Sequence, residues 1–253
     1  MSTIDQRILM GNEAIGRGIV ESGCSLVASY PGTPASEVLA SVVAFSQETE
    51  ADMHIEWSVN EKIAYEIALA NCYTGKRSAV AMKQVGLNVA SDPFMRSAYI
   101  GVKGGLVLIV ADDPGPHSSQ TEQDSRFFAH FARVPVFDPA SPREAKEMIP
   151  KAFELSEKYE MPVMVRPTTA VCHARQNVEC ARPVRIEREA RFEKNPGRWV
   201  ATPGFLNDLH RRLNEKIKNI AEEEDFSPSC VPGEGSQKKQ CIIASGVAYA
   251  HTY

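Results

Sequence analysis

Short apolar runs alternate with amphipathic stretches from residue 9 to residue 166. Residues 9 to 23 read as a helix, with Ile15, Ile19 and Val20 as its apolar stripe and Gly23 as its stop. Ser25 to Tyr30 is an unbroken run of small and apolar residues, the kind of strand that a sheet covered on both faces uses. It ends in Pro31-Gly32-Thr33-Pro34, a stiff loop that cannot join a strand ladder. Ala35 to Phe45 resumes a helical pattern, and the alternation His54-Ile55-Glu56-Trp57 predicts a short strand. Ser58, three residues ahead of Glu61, matches a capping box. Behind it Ile63, Ile67 and Ala70, widened by Ala64 and Ala68, give a helix with one buried face. Ser78 to Lys83 is a second buried strand. Lys83 to Asn88 then turns into a helix that Asp92-Pro93 interrupts and restarts. Gly105 to Ala111 is the most hydrophobic strand, followed by a long polar loop from Asp112 to Gln120. A helix over Glu122 to Ala132, a strand over Val134 to Phe137, a helix from Ser141 to Tyr159 and a strand over Pro162 to Arg166 complete the pattern.

Strands alternating with helices, each strand a short apolar run, predict an α/β fold: a doubly wound, mostly parallel sheet of about six strands with helices on both faces. Ligands collect at the carboxyl ends of such strands, which groups the loops 31–34, 58–61, 83–88 and 112–120 at one edge. Glu61 sits at the mouth of a strand-to-helix turn backed by small apolar residues, a place where an acid is desolvated. The capping box alone would account for it equally well. Beyond Thr168 the pattern fades. Residues 173 to 198 are rich in charge and read as a surface connector. Thr202 to Glu224 reads as a docking helix on Phe205, Leu209, Leu213 and Ile217, and Asp225 to Lys239 as a linker. Gln240 to Gly246 predicts a new buried strand. The expected division is thus a main domain over 1–175, a connector over 176–239 and the start of a further domain over 240–253.

At 253 residues, 43% of them hydrophobic, the chain is long enough for a sizeable core. A net charge of -4 leaves no basic footprint, which argues against nucleic acid as a partner. No apolar run reaches the length of a membrane span and the start has no signal-peptide pattern, so the cytoplasm is the expected location. The six cysteines, at 24, 72, 172, 180, 230 and 241, include no C-x-x-C pair, and the six histidines no H-x-x-x-H pair; a metal site on these ligands is not expected. His117-Ser118-Ser119 lacks the G-x-S-x-G elbow of a hydrolase. Asp112-Asp113-Pro114-Gly115 reads as turn chemistry rather than a magnesium site. No G-x-G-x-x-G follows the first strand, which disfavours a simple nucleotide-binding domain.

Four segments in order, Tyr30 to Glu37 (YPGTPASE), Glu56 to Lys62 (EWSVNEK), Ala81 to Pro93 (AMKQVGLNVASDP) and Val110 to Arg126 (VADDPGPHSSQTEQDSR), resemble the alpha subunits of indolepyruvate:ferredoxin oxidoreductases. These are thiamine-diphosphate enzymes of the 2-oxoacid:ferredoxin oxidoreductase superfamily, and the resemblance covers residues 9 to 175. It implies a pyrimidine-binding (PYR) module in which Glu61 hydrogen-bonds N1' of the cofactor's aminopyrimidine and so favours the imino tautomer that deprotonates the thiazolium carbon. It also implies that Pro31, Gly32, Gly86, Leu87 and Asn88 approach the cofactor, with Gly86 giving close backbone access. Thr33 would meet the substrate's carboxylate or oxo group, Lys83 would steady an anionic substrate, and His117, in the loop lining the cleft, would be a third substrate-binding residue. For each there is a plain alternative: Thr33 as a cap near Pro34, Gly86 as a helix-start glycine, Lys83 as a solvated strand end, Asn88 as a cap.

The implied activity is oxidative decarboxylation of an aryl 2-oxoacid to an acyl-CoA, with ferredoxin as acceptor. The diphosphate and its Mg2+ would be held by another module, on further sequence or a partner chain, because no G-D-G or G-D-S motif occurs here. Iron–sulfur clusters would lie elsewhere in the complete enzyme. A beta subunit, ferredoxin and at least a dimer are the implied partners. Two other readings share the same module: a non-oxidative thiamine-diphosphate decarboxylase, and a non-catalytic scaffold subunit, in which Glu61 would face bulk water.

Overall fold

Every residue of the run Leu106–Ala111 is buried, and its side chains divide between two cores. Leu106, Leu108 and Val110 join one apolar cluster, Val107 and Ile109 the other. Successive side chains leave a strand on opposite sides, so an unbroken apolar run requires cover on both faces. The rest of the architecture follows from that requirement.

The computed structural model describes residues 5–226, 229 and 241–252. In chain order the elements are β1 (Asp5–Met10), α1 (Gly11–Glu21), β2 (Leu26–Ser29), α2 (Ser36–Thr49), β3 (His54–Trp57), α3 (Glu61–Tyr73), β4 (Ser78–Lys83), α4 (Gln84–Val89), α5 (Ser91–Ile100) and β5 (Leu106–Ala111). They continue with α6 (Ser125–Ala132), β6 (Val136–Phe137), α7 (Pro142–Tyr159), β7 (Val163–Val165), α8 (Thr169–His173), β8 (Arg175–Cys180), α9 (Pro196–Trp199), α10 (Pro203–Ala221) and α11 (Gly246–Thr252). Six strands form one parallel sheet in the order β3-β2-β4-β5-β7-β6. The cluster holding Ile15, Val38 and Ile149 packs α1, α2 and α7 on one face. The cluster holding Tyr65, Phe94 and Ala129 packs α3, α5 and α6 on the other. β2 and β4 are neighbours, yet the chain leaves β2 towards β3 and leaves β4 towards β5. That divergence makes the carboxyl ends of β2 and β4 the switch point, the place where doubly wound sheets take ligands.

The doubly wound sheet and its helices agree with the pattern read from the sequence. Ser141 caps α7 by accepting from the Glu144 backbone N–H at 3.3 Å, and the break at Ala90 separates α4 from α5. α10 docks through buried Leu209 and Leu213, with Ile217 partly buried and Phe205 exposed.

Three expectations fail. The capping box at Ser58 does not form: Asn60 is the cap of α3 and accepts from the Ile63 N–H at 2.9 Å, while the Ser58 hydroxyl turns back to Glu56. The connector expected from residue 173 contains a strand, since β8 pairs antiparallel with β1 from Asp5↔Cys180 to Met10↔Arg175. Only Val178 and Cys180 of β8 are buried, too sparse an alternation to stand out among charged neighbours. The strand expected over Gln240 to Gly246 is absent over the described residues 241–245, which lead into α11. A strand needs a ladder, and the nearby sheet edge, β6, is two residues long. Most of the expected linker, with Cys230, lies outside the described residues.

Candidate active site

Four loops meet above the switch point. The loop after β2, Tyr30 to Ala35, includes a cis peptide between Thr33 and Pro34. It is held from beneath by Asn12, whose amide donates to the Pro34 carbonyl at 2.6 Å and to Glu37 at 2.9 Å. Gly32 lies against Lys83 at the end of β4; a Cβ added there would stand 3.1 Å from the Lys83 Cβ. Thr33 is exposed and makes no cap, because α2 starts from Ala35 without a side-chain bond. The Gly32 N–H is instead taken by the Ser36 hydroxyl at 2.9 Å.

Glu61 opens α3 at the mouth of the turn after β3, and its residue is only 9% exposed. Its side chain lies on Gly86, the third residue of α4. A Cβ at position 86 would come within 2.5 Å of both Cγ and Oε1 of Glu61. Glycine is therefore required at 86 by the carboxylate, not by helix initiation. Among the described residues no hydrogen bond or ion pair reaches the Glu61 carboxylate. The amino end of α3 favours negative charge there. A nearly buried acid, held in place and left without a protein partner, is suited to a ligand that offers a nitrogen or N–H.

Lys83 runs its stem along Gly32 and donates from Nζ to the Ser118 carbonyl at 2.9 Å, so it is not simply solvated. Asn88 lies inside α4 and is not a cap. Its amide exchanges two hydrogen bonds with that of Gln123, at 2.8 and 3.0 Å. Leu87 is fully buried in the core and Pro31 is exposed on the loop. His117 is exposed, and its backbone N–H, not its ring, is bonded, to Asp113 at 3.0 Å.

Asp112 and Asp113 are both fully buried. Asp112 accepts from the Ser125 hydroxyl and N–H and from Arg166 Nε, the last at 2.6 Å. Asp113 accepts from the His117 and Ser118 N–H groups and from the Ser119 and Thr169 hydroxyls. Burial opposes ionisation of Asp113, but these four bonds outweigh it and hold the carboxyl well below the usual aspartate range. The pair builds the loop; neither oxygen set faces a ligand. Buried Cys24, Cys72, Cys172 and Cys180 are free thiols, and burial pushes Cys24 up to about 12, so it is no nucleophile at neutral pH.

Glu61 and Gly86 thus meet, as do Gly32 and Lys83, whereas Asn88 turns to the neighbouring loop. The sequence reading missed Asn60, whose place directly before the helix is itself a cap signature, and Gln84, fully buried beside Lys83, for which no local signal exists.

Residues 17–216 match the family model described as pyruvate flavodoxin/ferredoxin oxidoreductase, thiamine diphosphate-binding. The chain belongs to this family. It is 43% identical over 250 residues to the indolepyruvate oxidoreductase subunit IorA of Methanothermobacter thermautotrophicus, covering 98% of this chain and 40% of that protein. To the IorA subunit of Thermococcus kodakarensis it is 45% identical, over 96% of this chain and 38% of the relative. The chain therefore spans about two-fifths of the length of these relatives. Its fold is similar, with a TM-score of 0.73 and 20% identity, to a solved 2-oxoglutarate:ferredoxin oxidoreductase from Magnetococcus marinus; the match covers 92% of this chain and 48% of that one. That structure shares the fold of this family member, parallel sheet and flanking helices alike. No helix among the described residues is long and apolar enough to cross a membrane.

Proposed function

We propose that this chain supplies the pyrimidine wall of a cytoplasmic, thiamine-diphosphate-dependent 2-oxoacid:ferredoxin oxidoreductase that converts an indolepyruvate-like aryl 2-oxoacid to its acyl-CoA. The reading rests on one observation above all: a residue only 9% exposed, Glu61, with its side chain seated on Gly86 and its carboxylate without a protein partner among the described residues. The residues fit the group. Asn60 and the α3 terminus fix where the carboxylate stands, and Gly86 leaves room for it. Glu61 would take the aminopyrimidine N1' and hold a proton there. The cofactor, when bound, supplies the electron sink for decarboxylation. Pro31, Gly32 and Thr33 would form the opposite lip of the crevice, with Thr33 exposed towards an incoming oxoacid. The names of the IorA relatives favour indolepyruvate as the acid.

The diphosphate with its Mg2+, the iron–sulfur clusters, the beta subunit and the ferredoxin contact belong in this reading to the remainder of the enzyme. Residues 240–253 would lead into a further unit of it. The test is Glu61→Gln in the complete, assembled oxidoreductase, followed by indolepyruvate-dependent ferredoxin reduction. We expect turnover to fall at least a hundredfold with the circular-dichroism spectrum unchanged. Near-normal turnover would leave the carboxylate without a catalytic role and would end this reading.

A further inference from the structure

The loop from Pro114 to Asp124 crosses the β4–α4 turn and is tied to it at three places. Lys83 Nζ donates to the Ser118 carbonyl at 2.9 Å, Gln84 Nε2 to the Thr121 carbonyl at 3.3 Å, and Asn88 and Gln123 pair through their amides. The root of the loop is firm, because Asp113 gathers His117, Ser118, Ser119 and Thr169 around one buried carboxylate. Beyond that root the span is open: Gln120 to Glu122 are exposed. A rigid base with a lightly held span is the anatomy of a moving flap.

Two further observations point to a second arrangement. Gln84 is fully buried, yet its Oε1 has no hydrogen-bond partner among the described residues, and its one bond is long. Buried polar atoms are rarely left so. The Lys83 ammonium has three donors and spends one, on a neutral carbonyl, with no carboxylate paired to it among the described residues. A carboxylate adds an opposite charge to the hydrogen bond and is the stronger partner for an ammonium.

We propose that residues 120–124 are a lid on the cleft, hinged at the Asp113 root, and that Lys83 is its latch, exchanging the Ser118 carbonyl for the carboxylate of an incoming 2-oxoacid. The choice of a 2-oxoacid rests on the function proposed above; the lid and its ties do not. With the latch on Ser118 the loop lies across the turn that carries Gly86. A carboxylate seated deeper in the cleft draws the ammonium off the Ser118 carbonyl, and the remaining ties are then the long Gln84 bond and the Asn88–Gln123 pair. The pair competes with water and the long bond is poorly made, so the span lifts while Asp113 keeps its base in place. Lys83 binds the acid here and couples its arrival to opening of the site.

Hydrogen–deuterium exchange on the complete oxidoreductase, read over residues 120–123 with and without indolepyruvate, tests this. In the wild type the acid should raise exchange several-fold. Lys83→Met, which keeps the stem against Gly32 and removes the ammonium, should exchange fast already and not respond. Gln123→Ala cuts a tie outside the cleft and should lower KM for the acid about threefold, with kcat unchanged. Wild-type exchange that ignores the acid, a Lys83→Met variant that still responds, or an unaltered KM in Gln123→Ala would each overturn the lid. Thiamine diphosphate titrated calorimetrically into the same samples separates the two claims. Failure to bind it, with the exchange response intact, would remove the cofactor reading and leave the lid standing.

Discussion

Two groups of buried acid sit at the carboxyl edge of the same sheet, and they are treated in opposite ways. After β5, Asp112 and Asp113 accept every bond that a folded chain can bring them: Arg166, two Ser125 donors, two loop N–H groups and two hydroxyls. After β3, Glu61 is 9% exposed and receives none among the described residues. Leaving a buried polar group unpaired costs about 1–3 kcal/mol, more when it is charged. A chain that saturates two carboxylates and leaves a third bare on the same edge is using them for different ends. The saturated pair is scaffold; the bare one is the group that the proposed function gives to the cofactor.

The comparison breaks most visibly at Arg166. Removing the cation from a buried pair leaves its partner uncompensated, so Arg166→Met should lower unfolding stability by about 4 kcal/mol, measured by urea denaturation. A loss below about 1 kcal/mol would mean that the Asp112 pair is not the prop described here. Gly86→Ala should do the reverse. The three atoms nearest its new methyl all belong to the flexible Glu61 side chain, and alanine favours a helix, so stability holds or rises slightly. With the carboxylate displaced, turnover by the assembled enzyme should fall about a hundredfold. Unchanged turnover would show that the seat on Gly86 does not matter.

The smallest effect is expected at Asp113. Asn cannot accept all four bonds on its oxygen, and Asp113→Asn should cost about 1.5 kcal/mol near neutral pH. The folded carboxyl titrates below its unfolded value, so its contribution is complete above the ordinary aspartate range and is lost as pH falls towards the depressed folded value. Wild-type stability should therefore drop on acidification below about pH 4 along a steeper line than that of the Asn variant. Parallel lines in denaturation curves taken across that window would refute the assignment.

Much of this was legible along the chain. The apolar runs at Ser78–Lys83 and Leu106–Ala111 could only be strands covered on both faces, and Pro31-Gly32-Thr33-Pro34 could only be a loop. Glu61 stood out by its place between a strand and a helix of small residues. Less legible were β8, with two buried residues in six, and the cap at Asn60, hidden by a better-known spacing two residues earlier. The exposed Ile242 and Ile243 imitated a strand that no neighbour in the described structure extends.

Order along the chain was thus enough to determine the alternation of strands and helices, the edge at which the loops gather and the acid most worth watching, because periodicity and turn chemistry act over a few residues. What surrounds that acid was decided only when the sheet set β2 beside β4. Gly86 under Glu61, Gln123 against Asn88 and the Ser118 carbonyl at Lys83 are contacts across 25 to 35 positions of sequence. No local rule reaches that far; such contacts are fixed by which strands pair, and pairing is settled by the burial of the whole core.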